Sequence, residues 1–274
     1  MTNYKDSFNG CYMNYVGNKW HYMEEIHKHL PSGNLKALDL FCGGGAVVSS
    51  HFPKNWNITI NDLNNRLVNL HIDTQNDSFL DHCLWLMDRF DLSKSNKGGY
   101  FDLRANYNDI PSSEMLYMLL CHSFSNQIRF NPKGEFNLPF GNRTFNKNLK
   151  EKLRRFKNRI SERAIKFTSN NFDHFDFDSF DFVFVDPPYL ETANFYGADD
   201  WSLTDEKILL DKLKNTKAKW MLTNQTISKG KENKLLVDFI NQGNFNVHEL
   251  RDTTKTCNYQ RKGGETVEVL ITNY

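Results

Sequence analysis

The chain has 274 residues, 39% of them apolar, enough for one large domain or a domain carrying an insertion. A net charge of +1 excludes a polycation that binds with its whole surface, and no apolar run approaches the roughly 18 residues of a membrane span. Cys11, Cys42, Cys83, Cys121 and Cys257 are scattered and never spaced C-x-x-C, which argues against a disulfide framework or a zinc knuckle. The first fifteen residues hold no signal-type apolar stretch. A cytoplasmic, metal-free protein with reduced thiols is expected.

In chain order, Lys19 to Leu30 is expected to be helical, with Trp20, Met23, Ile26 and Leu30 near 3.6 spacing. Lys36 to Phe41 reads as a buried strand that runs into glycines, and Asn57 to Asn61 as a second strand ending at Asp62. Leu63 to Ile72 carries a helical apolar stripe. From about Asp77 to Glu162 strand runs are few; Phe79–Phe90 and Glu114–Ser123 are helix candidates. Between Arg143 and Lys166 stand ten Lys or Arg against two Glu, a local net of +8 that suits either a solvated helix face or a phosphate-contacting one. Strand signals return at Phe180–Val185 and Lys217–Thr223, with a helix between them that Thr204 is expected to cap. Asn246–Leu250 and Glu265–Ile271 suggest a closing antiparallel pair. Alternating strands and helices imply an α/β layered sheet, interrupted by a mainly helical insertion. The boundaries expected are 1–75 and 163–274 for the sheet domain and 76–162 for the insertion.

Two strand ends carry chemistry. "DLFCGGG", Asp39 to Gly45, runs a strand into small residues, and Asp62 follows about 20 residues later, where a nucleotide-binding sheet keeps an acid for ribose hydroxyls. The spacing is not G-x-G-x-x-G and no P-loop lysine follows, so a ligand with a ribose but no phosphate fits better than a dinucleotide or a triphosphate; S-adenosylmethionine is an example. At the other strand end stand Asp186, Pro187, Pro188 and Tyr189. The carboxylate accepts from an amino group, the prolines stiffen the chain and leave carbonyl acceptors, and the tyrosine offers a stacking face. Together they describe a site for an exocyclic amino group on a planar base.

Asp-Pro-Pro-Tyr resembles the catalytic motif of amino-methyltransferases that modify adenine in DNA. "DLFCGGG" is similar to their cofactor loop, and "YVGNK", Tyr15 to Lys19, resembles the N-terminal cofactor motif of the Dam-like DNA adenine methyltransferase family. "HSFSNQIRFNPKGEFNLPFGNRT", His122 to Thr144, resembles that family's DNA-reading loop. The order of these patches matches the family as well.

The resemblance implies a Rossmann-like methyltransferase sheet with an inserted target-recognition domain. It implies transfer of the methyl group of S-adenosylmethionine to N6 of an adenine flipped out of double-stranded DNA, in GATC or a related GAT-containing site. Asp186, Pro187 and Tyr189 would be catalytic. Tyr15, Lys19, Phe41, Gly43, Asp62, Asn171, Phe172, Asp186 and Tyr196 would contact the cofactor, with Lys19 at the methionine carboxylate. Phe124, Ser125, Gln127, Arg129, Asn131, Pro139 and Arg143 would contact DNA, Phe124 as a wedge. Cellular members carry a lysine just before the aromatic of the N-terminal motif, which helps read the first guanine; here that residue is Asn14, which leaves the first base of the site open.

Rival readings are an N4-cytosine methyltransferase with the same amino-group chemistry, an RNA or protein amino-methyltransferase, and an inactive DNA-binding protein on this scaffold. A cytosine C5 enzyme is set aside, because no cysteine follows a proline. The chain is expected to act as a monomer or weak dimer, since a monomer acting twice serves a short palindrome.

Overall fold

The computed structural model describes residues 11–13, 15, 17–44, 49–124, 128–190, 201–250 and 265–274. Its strands are β1 (Lys36–Asp39), β2 (Asn57–Asn61), β3 (Ala164–Thr168), β4 (Phe182–Val185), β5 (Lys219–Ser228), β6 (Lys231–Glu232), β7 (Asn246–Leu250) and β8 (Val267–Thr272). They form one sheet in the order β3-β2-β1-β4-β5-β8-β7, with β6 paired to β5 off this path. The strands from β3 to β5 run parallel, and β8 lies antiparallel to both β5 and β7. The expected closing pair is therefore present. This is the Rossmann-like sheet that the sequence leads one to expect.

The topology explains why the two chemical strand ends meet. After β1 the chain builds outward through β2 and β3, then returns to place β4 on the other side of β1. Ligands of open α/β sheets bind beyond the carboxyl ends of the strands at such a reversal. Phe41 to Gly44 follow β1 and Asp186 follows β4, so both motifs leave the sheet at this point.

Side chains alternate between the faces of a strand, which gives the sheet two apolar layers. Ala37, Ile58, Ile60, Phe182 and Phe184 face one core, shared with Leu119 of helix Ser113–His122 and with Leu153 and Phe156 of helix Lys147–Ser161. Leu38, Leu40, Val183 and Val185 face the other, closed by Leu209 and Leu213 of helix Leu203–Asn215 and by Leu236 and Phe239 of helix Lys234–Gln242. All four residues of β4 are buried, as expected of a central parallel strand.

Short polar side chains start the helices. Asn64, Ser112, Asn146 and Asn233 each accept from backbone N–H groups of the first turn. Ser202 rather than Thr204 caps the helix Leu203–Asn215, because Asp205 three residues on reciprocates with the Ser202 N–H in a capping box. The basic segment contains a helix, Lys147–Ser161, that buries Leu153, Phe156 and Ile160 and turns Lys147, Arg154 and Arg155 outward. Among the described residues no helix is long and apolar enough to cross a membrane.

Candidate active site

Asp186 leaves the end of β4 with its side chain 16% exposed. The Lys19 ammonium, only 4% exposed, sits 2.7 Å from Asp186 Oδ1, and the Thr223 hydroxyl of β5 donates to the same oxygen at 2.8 Å. Among the described residues both contacts end on Oδ1, so Oδ2 is left to accept from elsewhere. Burial raises the Asp186 carboxyl above the usual carboxylate range, opposed by the Lys19 charge and the two bonds it accepts. Lys19 also donates to the Gly17 carbonyl at 2.8 Å. Pro187 and Tyr189 are buried beside Asp186, and the Tyr189 ring centroid lies 5.1 Å from Lys19 Nζ. Lys19, expected only at a cofactor carboxylate, is thus brought to the catalytic motif itself.

The glycine loop is built around Tyr15 and Asp62. Gly43 has φ +54°, a conformation that disfavours any other residue, and a Cβ on Gly44 would lie 2.1 Å from the Tyr15 ring. Asp62 accepts from the Gly43 N–H at 2.8 Å through one oxygen and from the Asn64 N–H at 2.9 Å through the other; burial raises its pKa. Buried His71 bridges Tyr12 Oη, 2.7 Å from Nδ1, to the Gly43 carbonyl, 3.0 Å from Nε2. Burial pushes its pKa down to about 4, so the ring is neutral at pH 7. A neutral ring that donates to the carbonyl through Nε2–H accepts from the Tyr12 hydroxyl at Nδ1. Cys11, Cys42 and Cys121 are buried free thiols whose pKa values burial raises, which leaves them protonated.

Beyond the ends of β1 and β3 three rings converge. Phe41 lies 5.8 Å from Phe172 and 5.5 Å from Trp201, and Phe172 lies 5.2 Å from Trp201. Trp201 donates its indole N–H at 2.7 Å to buried Glu206, which also accepts from Asn224 and Asn233 at 3.0 and 3.3 Å. Asn171 stands at the surface and caps the short turn that presents Phe172. Trp201, Glu206, Thr223 and Glu268 lay outside the sequence expectation. Trp201 follows the Asp-Pro-Pro-Tyr stretch within a dozen residues, and its type alone was the available signal.

The patch expected to read DNA folds as a hairpin over its described residues. Phe130 bridges Phe136 and Ser123 bridges Phe140. Tyr100 and Arg104 donate to the Leu138 carbonyl at 2.9 and 3.2 Å, and Asn108 exchanges bonds with the Phe136 backbone, so helix Lys97–Asp109 fastens it. Phe136 is core, whereas Phe124 is 64% exposed. Arg129, Pro139 and Arg143 are exposed, with Arg129 Nε bonded to Asn137 at 2.8 Å. The Asn131 side chain is engaged inside the turn, accepting from the Lys133 and Glu135 N–H groups and donating to Glu135. Asn14, Ser125, Gln127, Tyr196 and Cys257 lie outside the described residues.

Residues 15–256 match the sequence profile of the D12 class N6 adenine-specific DNA methyltransferases. The chain belongs to this family. It is 34% identical over 280 residues to the type II methyltransferase M.FokI of Planomicrobium okeanokoites, covering 96% of this chain and 42% of that protein. It is 26% identical to the type II methyltransferase M1.LlaDCHI of Lactococcus lactis subsp. cremoris, over 95% of this chain and 94% of that one. The DNA adenine methylase of Serratia marcescens is 26% identical over 73% of this chain and 76% of its own length. The chain thus spans less than half the length of the first of these relatives.

Proposed function

We propose that this D12-class chain is an S-adenosylmethionine-dependent methyltransferase acting on N6 of adenine in duplex DNA, at GATC or another GAT-containing site. The observation that carries the reading is Asp186: a covered carboxylate at the end of β4 whose Oδ1 is held by Lys19 and Thr223, beside buried Pro187 and Tyr189.

The residues present fit S-adenosylmethionine. Phe41, Phe172 and Trp201 form an aromatic corner suited to the adenine ring, and Asp62 holds the Gly43 N–H in the turn that follows Phe41. Tyr15 and Lys19 line the approach from the N-terminal motif, and Tyr196 completes the proposed set. When bound, the cofactor supplies an electrophilic methyl group on a sulfonium.

The protein's part is positional. Tyr189 stacks on the flipped base. Asp186 and the Pro187 carbonyl accept from its amino group, which turns the nitrogen lone pair out of conjugation. The Lys19 charge opposes the burial that raises the Asp186 pKa and so favours its ionised form. Transfer of the methyl group to N6 would leave a surplus N6 proton, which would pass to water. Residues 76–162 form the target-recognition insertion, and the remainder the catalytic domain. Phe124 fills the space left by the base, Arg129, Pro139 and Arg143 line the DNA face together with Ser125 and Gln127, Asn131 shapes the turn, and helix Lys147–Ser161 contacts phosphates.

Incubation with unmethylated plasmid and S-adenosylmethionine, followed by digestion to nucleosides and mass spectrometry, tests this. N6-methyladenine with acquired resistance to cleavage at GATC is expected. N4-methylcytosine overturns the base assignment, and no methylated nucleoside overturns the enzyme.

A further inference from the structure

Glu268 lies on β8, the strand that reverses the sheet, yet its carboxylate reaches the catalytic motif. Its Oε1 accepts from Tyr189 Oη at 2.7 Å and stands 3.6 Å from Lys19 Nζ. The side chain is 15% exposed. A carboxylate this covered costs desolvation unless it is partnered, and here a hydrogen bond from Tyr189 and an ion pair with Lys19 partner it. β5 and β8 are neighbours, and each sends one group to the same corner: Thr223 to the carboxylate of Asp186, Glu268 to the phenol of Tyr189. A ring fixed at its backbone and at its hydroxyl keeps its place and tilt. Only spin about that axis remains, and the Lys19 ammonium over the face opposes it.

We infer that Glu268 is a positioning residue for methyl transfer, fixing the Tyr189 ring on which the base stacks and dividing Lys19 between itself and Asp186. The inference rests on the proposed function, because it assigns Tyr189 to the substrate base. Among the described residues, the groups facing Asp186 are Lys19 ahead of the first helix, Thr223 on β5 and Glu268 on β8. Of these, Glu268 is the negative one, and its charge works to keep the Asp186 carboxyl protonated.

The test uses E268A, E268Q, Y189F and the double variant Y189F/E268A, assayed for kcat and KM on a duplex oligonucleotide with melting temperatures measured alongside. E268A and Y189F are each expected to lose about tenfold in kcat at unchanged KM for S-adenosylmethionine. The double variant is expected to be no slower than about the slower single, because both delete one hydrogen bond. E268Q keeps an oxygen for the phenol and loses only the charge. Its kcat is expected to stay within about threefold of wild type, while the acid limb of its pH profile moves to lower pH. Wild-type kcat in E268A, or losses that multiply in the double variant, overturns the inference. If E268A fails to fold, an unmoved acid limb in E268Q does so. A wild-type protein that methylates no base removes the proposed function as well, whereas an active wild type beside an equally fast E268A removes the role of Glu268 alone.

Discussion

The corner at Asp186 and the hairpin that carries Arg129, assigned to chemistry and to DNA reading in the proposed function, solve opposite problems. At Asp186 the side chains are immobilised: Lys19 and Thr223 hold Asp186, and Glu268 accepts from Tyr189 and pairs with Lys19, over distances of 2.7 to 3.6 Å, from four separate parts of the chain. In the hairpin the backbone is immobilised instead, fastened by Tyr100, Arg104 and Asn108, while Phe124, Arg129 and Pro139 stand in solvent. One region cannot change a side chain without disturbing its neighbours. The other presents side chains that are exchangeable on a fixed frame. Chemistry that is the same at every target needs the first, and a reader of sequence needs the second.

Substitutions divide along this line. Asp186→Asn keeps the shape and removes the charge; it is expected to lower kcat on the order of 10²–10³-fold while DNA affinity, measured by fluorescence anisotropy, stays near wild type. A parallel loss of DNA binding would break the separation. The buried side should also show its cost in acid. His71 has its folded pKa lowered to about 4, so the stability it confers is present above its unfolded value near 6.5 and is lost as pH falls toward 4. The loss is about 3 kcal/mol over that range, read as a steeper decline of denaturant stability with acid in wild type than in His71→Gln.

The exposed side should respond more gently. Phe124→Ala is expected to lose about tenfold in kcat/KM on paired duplex, and to regain most of it when the target adenine faces an abasic position. No recovery there would mean that Phe124 does something other than fill the gap. The smallest effect belongs to the basic helix. Replacing Lys147 and Arg154 together by alanine is expected to reduce the slope of log affinity against log salt by about two, with little effect on the methylated sequence.

The parts legible in sequence were those in which one residue type answers to one local demand. β2 and β7 have the expected bounds, and β1 and β4 stand out as short apolar runs between turn residues. Helix Lys97–Asp109 was not foreseen: Gly98 and Gly99 weaken the helical pattern, and Gly99 is required because a Cβ there would lie 1.8 Å from the Phe90 carbonyl. β3, alternating only between exposed and partly buried residues, carries little apolar signal. In the site, the motif residues were found because their types state their chemistry. Their supports were not. Lys19 and Glu268 are separated by nearly the whole chain, and no spacing rule connects a lysine in an N-terminal turn with a glutamate on the strand that closes the sheet. The Asn131 amide, expected at a base edge, is engaged by its own turn.

The triangle of Lys19, Asp186 and Glu268 sets one ammonium against two carboxylates. On the proposed chemistry the methyl donor arrives as a sulfonium and departs as an uncharged thioether. On that chemistry a corner with two carboxylates and one ammonium would attract the first more than the second. The arrangement that steadies the Asp-Pro-Pro-Tyr motif would then hold the spent donor less strongly than the fresh one.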